Sequence, residues 1–157
     1  MTEEKFFTIF PTGPKNDAYA KYFVGQSYLN MLSLDQVVIG NVTFEPGCRN
    51  NWHIHHADKG GGQILLVTGG RGYYQEWGKP ARELHAGDVV KIPAGVKHWH
   101  GAAPTSWFAH LAIEVPGENT KSEWCEPVDA EEYNKLKLNP LSPSVISSLT
   151  DRQVAQH

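Results

Sequence analysis

Two stretches of the chain decide its fold: GCRNNWHIHHADKGGGQILLVTGG at residues 47–70 and GDVVKIPAGVKH at residues 87–98. In the first stretch, His53 and His55 are one residue apart, so on a β-strand both imidazoles point to the same face. In the second, Pro93-Ala94-Gly95 predicts a turn, after which His98 begins a new strand. The pair of histidines is arranged to chelate an ion. With 8 histidines in 157 residues, however, this spacing alone is weak evidence for a metal site.

The rest of the chain continues the pattern of short strands and glycine turns. Apolar or alternating runs predict strands at residues 22–32, 37–44, 51–55, 63–68, 72–76, 88–92, 98–102 and 108–114. This regular spacing favours an all-β sandwich or barrel. Asp129 predicts the cap of one short helix over residues 130–136. We therefore divide the chain into an N-terminal segment (1–20), a barrel domain (21–136) and a C-terminal arm or partly disordered tail (137–157).

Length and charge limit the classes of function. A chain of 157 residues suits one domain. Its net charge of -3, from 14 basic and 17 acidic residues with no run of either sign, predicts no nucleic-acid or membrane partner and favours a small molecule. The N-terminus has neither a signal sequence nor a membrane span, so we expect a cytoplasmic protein. Cys48 and Cys125 are expected to be reduced thiols.

The two quoted stretches resemble the paired motifs of the cupin superfamily, over roughly residues 37–115. Cupins hold a metal with two histidines and a carboxylate of the first motif and one histidine of the second. The resemblance implies an all-β fold, a cupin (RmlC-like jelly-roll) β-barrel with one short C-terminal helix. By position, it also implies His53, His55, Gln63 and His98 as ligands of one divalent transition metal.

The ligand set departs from the common cupin pattern at one position. Gln63 stands where the family has a carboxylate, and the interval from His55 to Gln63 is longer than usual. His56, at the start of the inserted loop, is an alternative ligand if that loop folds inward. We favour Gln63, because it begins an apolar strand at the expected distance before Gly70.

A narrower resemblance points to small bacterial cupins that include manganese-dependent hydroxynitrile lyases and carboxymuconolactone decarboxylase-associated cupins. It is carried by residues 44–47, 52–55, 97–104 and 110–114, and extends to residues 21–25 and 122–133. Those enzymes also use a glutamine as a metal ligand, which fits Gln63. The resemblance favours manganese as the metal, with Fe, Zn, Ni or Co as alternatives, because the ligand types suit all of these metals. The resemblance implies His110 as general base or acid near the metal, aided by His100.

Strand alternation predicts which side chains line the cavity. His100 shares a face with His98, and His110 shares a face with Glu114 on the following strand. The other predicted pocket residues are Gly40, Val42, Phe44 and Tyr73. The lyase-like relatives tend to have an amide at position 114, so the carboxylate of Glu114 implies a changed substrate polarity or an ion pair with Lys97 or Arg71.

Three functions are compatible with this sequence. The first is a metal-dependent carbon-carbon lyase acting on a small carbonyl-related substrate, such as a cyanohydrin. The second is a cupin dioxygenase with Fe(II), against which the neutral ligand set argues mildly. The third is a barrel that binds a small molecule without turnover. We also expect a homodimer or higher homo-oligomer, formed through the edge strand predicted at residues 22–32.

Overall fold

The structure, a computed structural model, describes residue 6 and residues 8–136. The predicted C-terminal arm lies outside these residues. The described part has one α-helix, α1 (Ala130–Lys135). Its strands are β1 (Phe23–Val24), β2 (Ser27–Ser33), β3 (Ile39–Phe44), β4 (Arg49–Asn50), β5 (His53–His56), β6 (Lys59–Gly60), β7 (Gln63–Glu76), β8 (Arg82–His85), β9 (Val89–Ile92), β10 (His98–Ala102), β11 (Phe108–Glu114), β12 (Gly117–Glu118) and β13 (Lys121–Trp124).

The strands form a nearly closed antiparallel barrel. The main path of paired strands runs β1-β4-β10-β7-β11-β3-β2, and β5, β8, β9 and β13 attach beside it. A separate small pair joins β6 to β12. Because neighbouring strands are antiparallel and their alternate side chains face inward, each strand contributes to a shared interior. The predicted all-β jelly-roll barrel with one short helix is confirmed.

Strand β7 links the two halves of the barrel. The sequence predicted two strands here, but the structure has one strand of 14 residues with a bend at Gly70, whose φ is +74°. Before the bend β7 pairs with β11 and β9, and after it with β10 and β8. Opposite β11, Ala109 pairs with Gly69 and His110 with Val67, so Thr68 is the extra residue of a β-bulge.

The bulge changes which tyrosine of β7 faces the barrel interior. One extra residue reverses the alternation of side chains along the strand, so Tyr74 rather than Tyr73 faces the barrel interior. The ring of Tyr74 lies 5.8 Å from that of His98. The Tyr73 side chain instead lies outside, where its hydroxyl hydrogen-bonds Glu83 at 3.2 Å. The prediction that Tyr73 lines the cavity was wrong.

The sequence also misjudged some of the peripheral strands. The strand predicted at residues 22–32 is divided into β1 and β2 because Gly25 adopts a φ of +89° between them. Strands β8 and β13 were not predicted. Each has four residues with a single apolar side chain, Leu84 in β8 and Trp124 in β13, so it lacks the apolar alternation by which a half-buried strand is recognised.

The core has two parts, one inside the barrel and one beneath the helix. Phe44, Leu65 and Phe108 belong to the interior cluster. The second cluster includes Trp99 and Tyr133 and lies on the outer side of the strands. The Tyr133 hydroxyl donates to the carbonyl of Ala102 at 2.6 Å, which fixes α1 to β10. No helix in the described residues is long and apolar enough to cross a membrane.

The predicted cap and thiols can be located in this fold. The Asp129 side chain accepts a hydrogen bond from the backbone N–H of Glu132 at 3.1 Å, which caps the first turn of α1 as predicted. Cys48 and Cys125 are free thiols. Cys48 is buried, and this burial, with the nearby Glu45 carboxylate, raises the pKa of its thiol to about 12. Cys48 is therefore an unreactive core side chain.

Candidate metal centre

Three histidines from the two motif stretches meet inside the barrel. His53 and His55 share the inner face of β5, and His98 on β10 lies directly opposite His53 in the strand register. The rings of His53 and His98 are 4.2 Å apart between centroids. One nitrogen of each of the three imidazoles lies within 4.8 Å of the others, and all three residues are buried. Antiparallel pairing thus brings together His53 and His98, which are 45 residues apart in sequence.

Backbone carbonyls fix the tautomers of two of these imidazoles. Nδ1 of His53 lies 2.8 Å from the carbonyl oxygen of Asn51, and Nδ1 of His98 lies 2.9 Å from that of Val96. Since a carbonyl can only accept, the proton of each ring is on Nδ1 and the lone pair is on Nε2. Each of these Nε2 atoms is therefore ready to bind a metal.

Gln63 offers a fourth donor atom. It lies opposite Glu114 in the pairing of β7 with β11, and its Nε2 donates to Glu114 Oε1 at 2.7 Å. Among the described residues, three buried atoms of this group have no hydrogen-bond partner: Gln63 Oε1, His55 Nε2 and His98 Nε2. Unpaired buried polar atoms are costly, and a bound cation would satisfy them. This donor set fits a divalent transition metal, without distinguishing among such metals.

Two alternatives left open by the sequence can now be decided. His56 faces outward, where its Nε2 lies 2.7 Å from Glu123 Oε1, so it is not placed to replace Gln63. Glu114 pairs with neither of the predicted cations. Lys97 binds Glu126, with 2.9 Å between Nζ and Oε1, and Arg71 binds Glu83, with 3.1 Å between Nη1 and Oε1.

Burial keeps the site histidines neutral. It lowers the pKa of His98 to about 4 and holds the pKa of His53 well below its usual value. Burial also lowers the pKa of His55, although the neighbouring Glu114 carboxylate and Gln63 side chain oppose this effect. Neutral imidazoles and a neutral amide leave a bound ion its full double positive charge, which makes it a strong Lewis acid.

A second pair of imidazoles lies beside the first group. His110 Nε2 is 3.0 Å from His100 Nδ1, and the His53 and His100 ring centroids are 5.4 Å apart. Asn50 accepts from the backbone N–H of His100 at 2.9 Å and so holds this strand in place. Burial lowers the pKa of His110 to about 3 and holds that of His100 well below its usual value. Both rings are therefore neutral at neutral pH.

A mainly apolar cavity of about 400 Å³ opens onto these groups. Of the predicted pocket residues, Gly40, Val42 and Glu114 line it. His100 also lines it, whereas His110 is fully buried behind His100. Phe44 packs beneath the pair, with its ring 5.3 Å from that of His110. The catalytic roles of His100 and His110 remain predictions.

Sequence reasoning missed several cavity residues. Trp124 stacks on His53 with 4.6 Å between ring centroids, and it also stacks on Tyr22, with 4.5 Å between centroids. Leu29 and Met31 of β2 form part of the apolar wall. Trp124 was hard to find because β13 is short and exposed. Leu29 and Met31 were within a predicted strand, where the alternation that places Gly40 inward could have indicated them.

The barrel, the glycine-bounded motifs and the histidine group together define a small single-barrel cupin. The cupin domain family model matches residues 40–111. The chain belongs to the cupin family, and within that family it is similar to hydroxynitrile lyases.

Three individual relatives show the extent of this similarity in sequence and in structure. (R)-mandelonitrile lyase from Granulicella tundricola is 46% identical over 95 residues, which are 60% of this chain and 70% of that enzyme. A cupin-like protein from Thermotoga maritima has 42% identity and a TM-score of 0.70, with 82% of this chain and 96% of that chain covered. A double-stranded β-helix protein from Klebsiella pneumoniae, at 21% identity and a TM-score of 0.55, shares the fold over 79% of this chain and 99% of its own.

Proposed function

We propose that this protein is a metal-dependent hydroxynitrile lyase, which reversibly cleaves a cyanohydrin into a carbonyl compound and hydrogen cyanide. One observation carries the proposal: the His53, Gln63 and His100 side chains lie together on the wall of a mainly apolar cavity. The volume of about 400 Å³ is within the range of about 300–1,000 Å³ usual for small-molecule sites. The similarity to (R)-mandelonitrile lyase supports an aromatic or other small cyanohydrin as substrate.

The metal would be held by His53, His55, His98 and Gln63. When bound, it would act as a Lewis acid toward the substrate oxygen. Manganese is the metal that we favour, and the ligand types also accept iron, cobalt, nickel or zinc. The fixed tautomers of His53 and His98 present lone pairs on Nε2 without further rearrangement.

Because His110 is fully buried and His100 lines the cavity, we assign the proton transfer to His100 and a supporting role to His110, the reverse of the roles implied by the resemblance. His100 Nδ1 lies 3.0 Å from His110 Nε2, and Asn50 Nδ2 lies 3.3 Å from His100 Nδ1 and 3.4 Å from His100 Nε2. We assign Nε2 to the substrate, which would replace this longer contact with Asn50. In the cleavage direction, His100 Nε2 takes the proton of the substrate hydroxyl, the oxygen becomes a carbonyl, and the bond to the nitrile carbon breaks. The cyanide that leaves with the bonding electron pair takes that proton from His100 Nε2, which gives hydrogen cyanide and returns His100 to its neutral form. In this role the ring proton of His100 is on Nδ1. His110 supports the transfer because its Nε2 accepts a hydrogen bond from this N–H.

Aldehyde release from racemic mandelonitrile tests this function directly. The protein is loaded separately with manganese, iron, cobalt, nickel or zinc, its metal content is measured by elemental analysis, and benzaldehyde formation is followed by absorbance. We expect at least one loaded form to cleave mandelonitrile, and the metal-free form to be inactive. The reverse reaction, with products separated on a chiral column, gives the enantiomer preference.

One variant, compared with a matched control, distinguishes proton transfer from metal binding. H100A should retain the metal but lower kcat by about 10²–10⁴-fold, the usual contribution of a general acid-base residue. H85A is the matched control, because His85 pairs with Glu83 at 2.6 Å away from the cavity. A fully loaded protein that leaves a panel of aromatic and aliphatic cyanohydrins intact would contradict the proposal. Oxygen uptake by the iron form would instead favour an oxygenase.

A further inference from the structure

Glu114 contacts two of the four candidate ligands without being a ligand itself. Its Oε1 accepts from Gln63 Nε2 at 2.7 Å, and its Oε2 lies 3.9 Å from His55 Nδ1. The backbone explains this position, since Glu114 and Gln63 are directly opposite each other in the pairing of β11 with β7. The first contact is a hydrogen bond, while the second is electrostatic, because 3.9 Å exceeds hydrogen-bond length.

The first contact determines which end of the Gln63 amide faces the site. An amide has a donor end and an acceptor end, and only its oxygen can bind a cation. A carboxylate accepts but cannot donate, so Glu114 fixes the NH₂ group of Gln63 toward itself. Gln63 Oε1 is then directed away from Glu114 and is left buried without a partner among the described residues. The hydrogen bond to a charged acceptor also polarises the amide and strengthens its oxygen as a donor.

The second contact acts on His55, which has no carbonyl on Nδ1 like that of His53 or His98. Within residues 8–136, the contacts of this atom are weaker: Ser122 Oγ lies at 3.3 Å and Glu114 Oε2 at 3.9 Å. A negative charge beside Nδ1 favours the tautomer with its proton there. This tautomer leaves the lone pair on the buried Nε2 of His55, the atom without a partner among the described residues.

From these contacts we propose that Glu114 is a positioning residue of the metal centre, which orients Gln63 and His55 and provides a negative charge behind a neutral ligand set. The inference rests on the metal site of the proposed function. Residues that hold metal ligands from behind typically change metal affinity by about 10–100-fold when they are replaced. Because the Glu114 side chain is 45% exposed, its replacement is not expected to disturb the packing of the barrel.

Metal affinity, measured without substrate, tests the role of Glu114. Metal-free full-length protein is titrated with Mn²⁺ or Co²⁺ in competition with a chromophoric chelator, and the Co²⁺ absorption spectrum reports the coordination. We expect E114L to bind about 10–100-fold more weakly than the wild type. E114Q retains an oxygen that can accept from Gln63 Nε2 but loses the charge, so its affinity should lie between the two.

E123Q is the matched control. Glu123 forms a similar carboxylate-histidine pair with His56, with 2.7 Å between the atoms, but on the outer side. Its replacement should leave the dissociation constant unchanged, and thermal melting of all metal-free variants should match the wild type. Wild-type affinity in E114L, an equal loss in E123Q, or an E114Q as weak as E114L would each overturn the inference. If the wild type itself binds no metal, the proposed function fails together with it.

Discussion

Replacing Gly70 with alanine tests whether the bend in β7 is required by the fold. Gly70 has a φ of +74°, and a Cβ added to it would lie 1.9 Å from the backbone oxygen of Trp107. That oxygen accepts from the backbone N–H of Arg71 at 3.0 Å, so it is held in place. The left-handed conformation alone costs a residue other than glycine about 1–2 kcal/mol. Relief of the clash must also move the start of β11, where Phe108 is fully buried.

We therefore expect G70A to lower the free energy of unfolding by about 3–5 kcal/mol, as for substitutions that disturb a packed core. Gly78 provides the control, because its φ is +82° but a Cβ added to it would meet no atom within 4 Å. G78A should lose only the conformational cost of about 1–2 kcal/mol. Urea denaturation of the metal-free proteins measures both values. Equal losses in the two variants would refute the argument that contact with Trp107 makes Gly70 necessary.

Three other measurements examine the metal, an ion pair and the helix. At a free metal concentration of about 100 times Kd, the loaded protein should melt about 5–10 °C above the metal-free form, and H98A should lose this shift. Burial tends to raise the pKa of Glu83, but contacts with His85 and Arg71 outweigh it, so the folded-state pKa lies below 4.5. Glu83 thus adds stability that is lost on acidification, and E83Q should lose less unfolding free energy than the wild type between about pH 5 and pH 3. Y133F should unfold about 1–2 kcal/mol more easily, because it leaves the buried Ala102 carbonyl without its donor.

The sequence was sufficient to predict the barrel and the histidine group because both depend on local patterns. One-residue spacing on a strand put His53 and His55 on one face, and turn residues marked where each motif strand begins. The second motif begins a strand at His98, which pairs with His53 in the structure. These features need no knowledge of long-range packing beyond the family resemblance.

The sequence alone could not determine the strand register, that is, which residues lie opposite each other in paired strands. Whether Tyr73 or Tyr74 faces inward depends on one extra residue at Thr68, and nothing in the local pattern marks that residue as a bulge. The partner of Glu114 was missed for the same reason. Lys97 and Arg71 were reasonable by charge, yet the position directly opposite Glu114 belongs to Gln63. Local composition cannot determine which cross-strand neighbour a side chain meets.

The register also explains how the centre can be arranged before a metal binds. His53 lies opposite His98, Gln63 lies opposite Glu114, and each of these pairs is aligned by backbone hydrogen bonds between strands. The supporting contacts to the carbonyls of Asn51 and Val96 are also made by the protein alone. A preformed site loses little conformational freedom when it binds its ion, so more of the binding energy remains as affinity. The metal should accordingly add stability to a barrel that is already folded, instead of being required for folding.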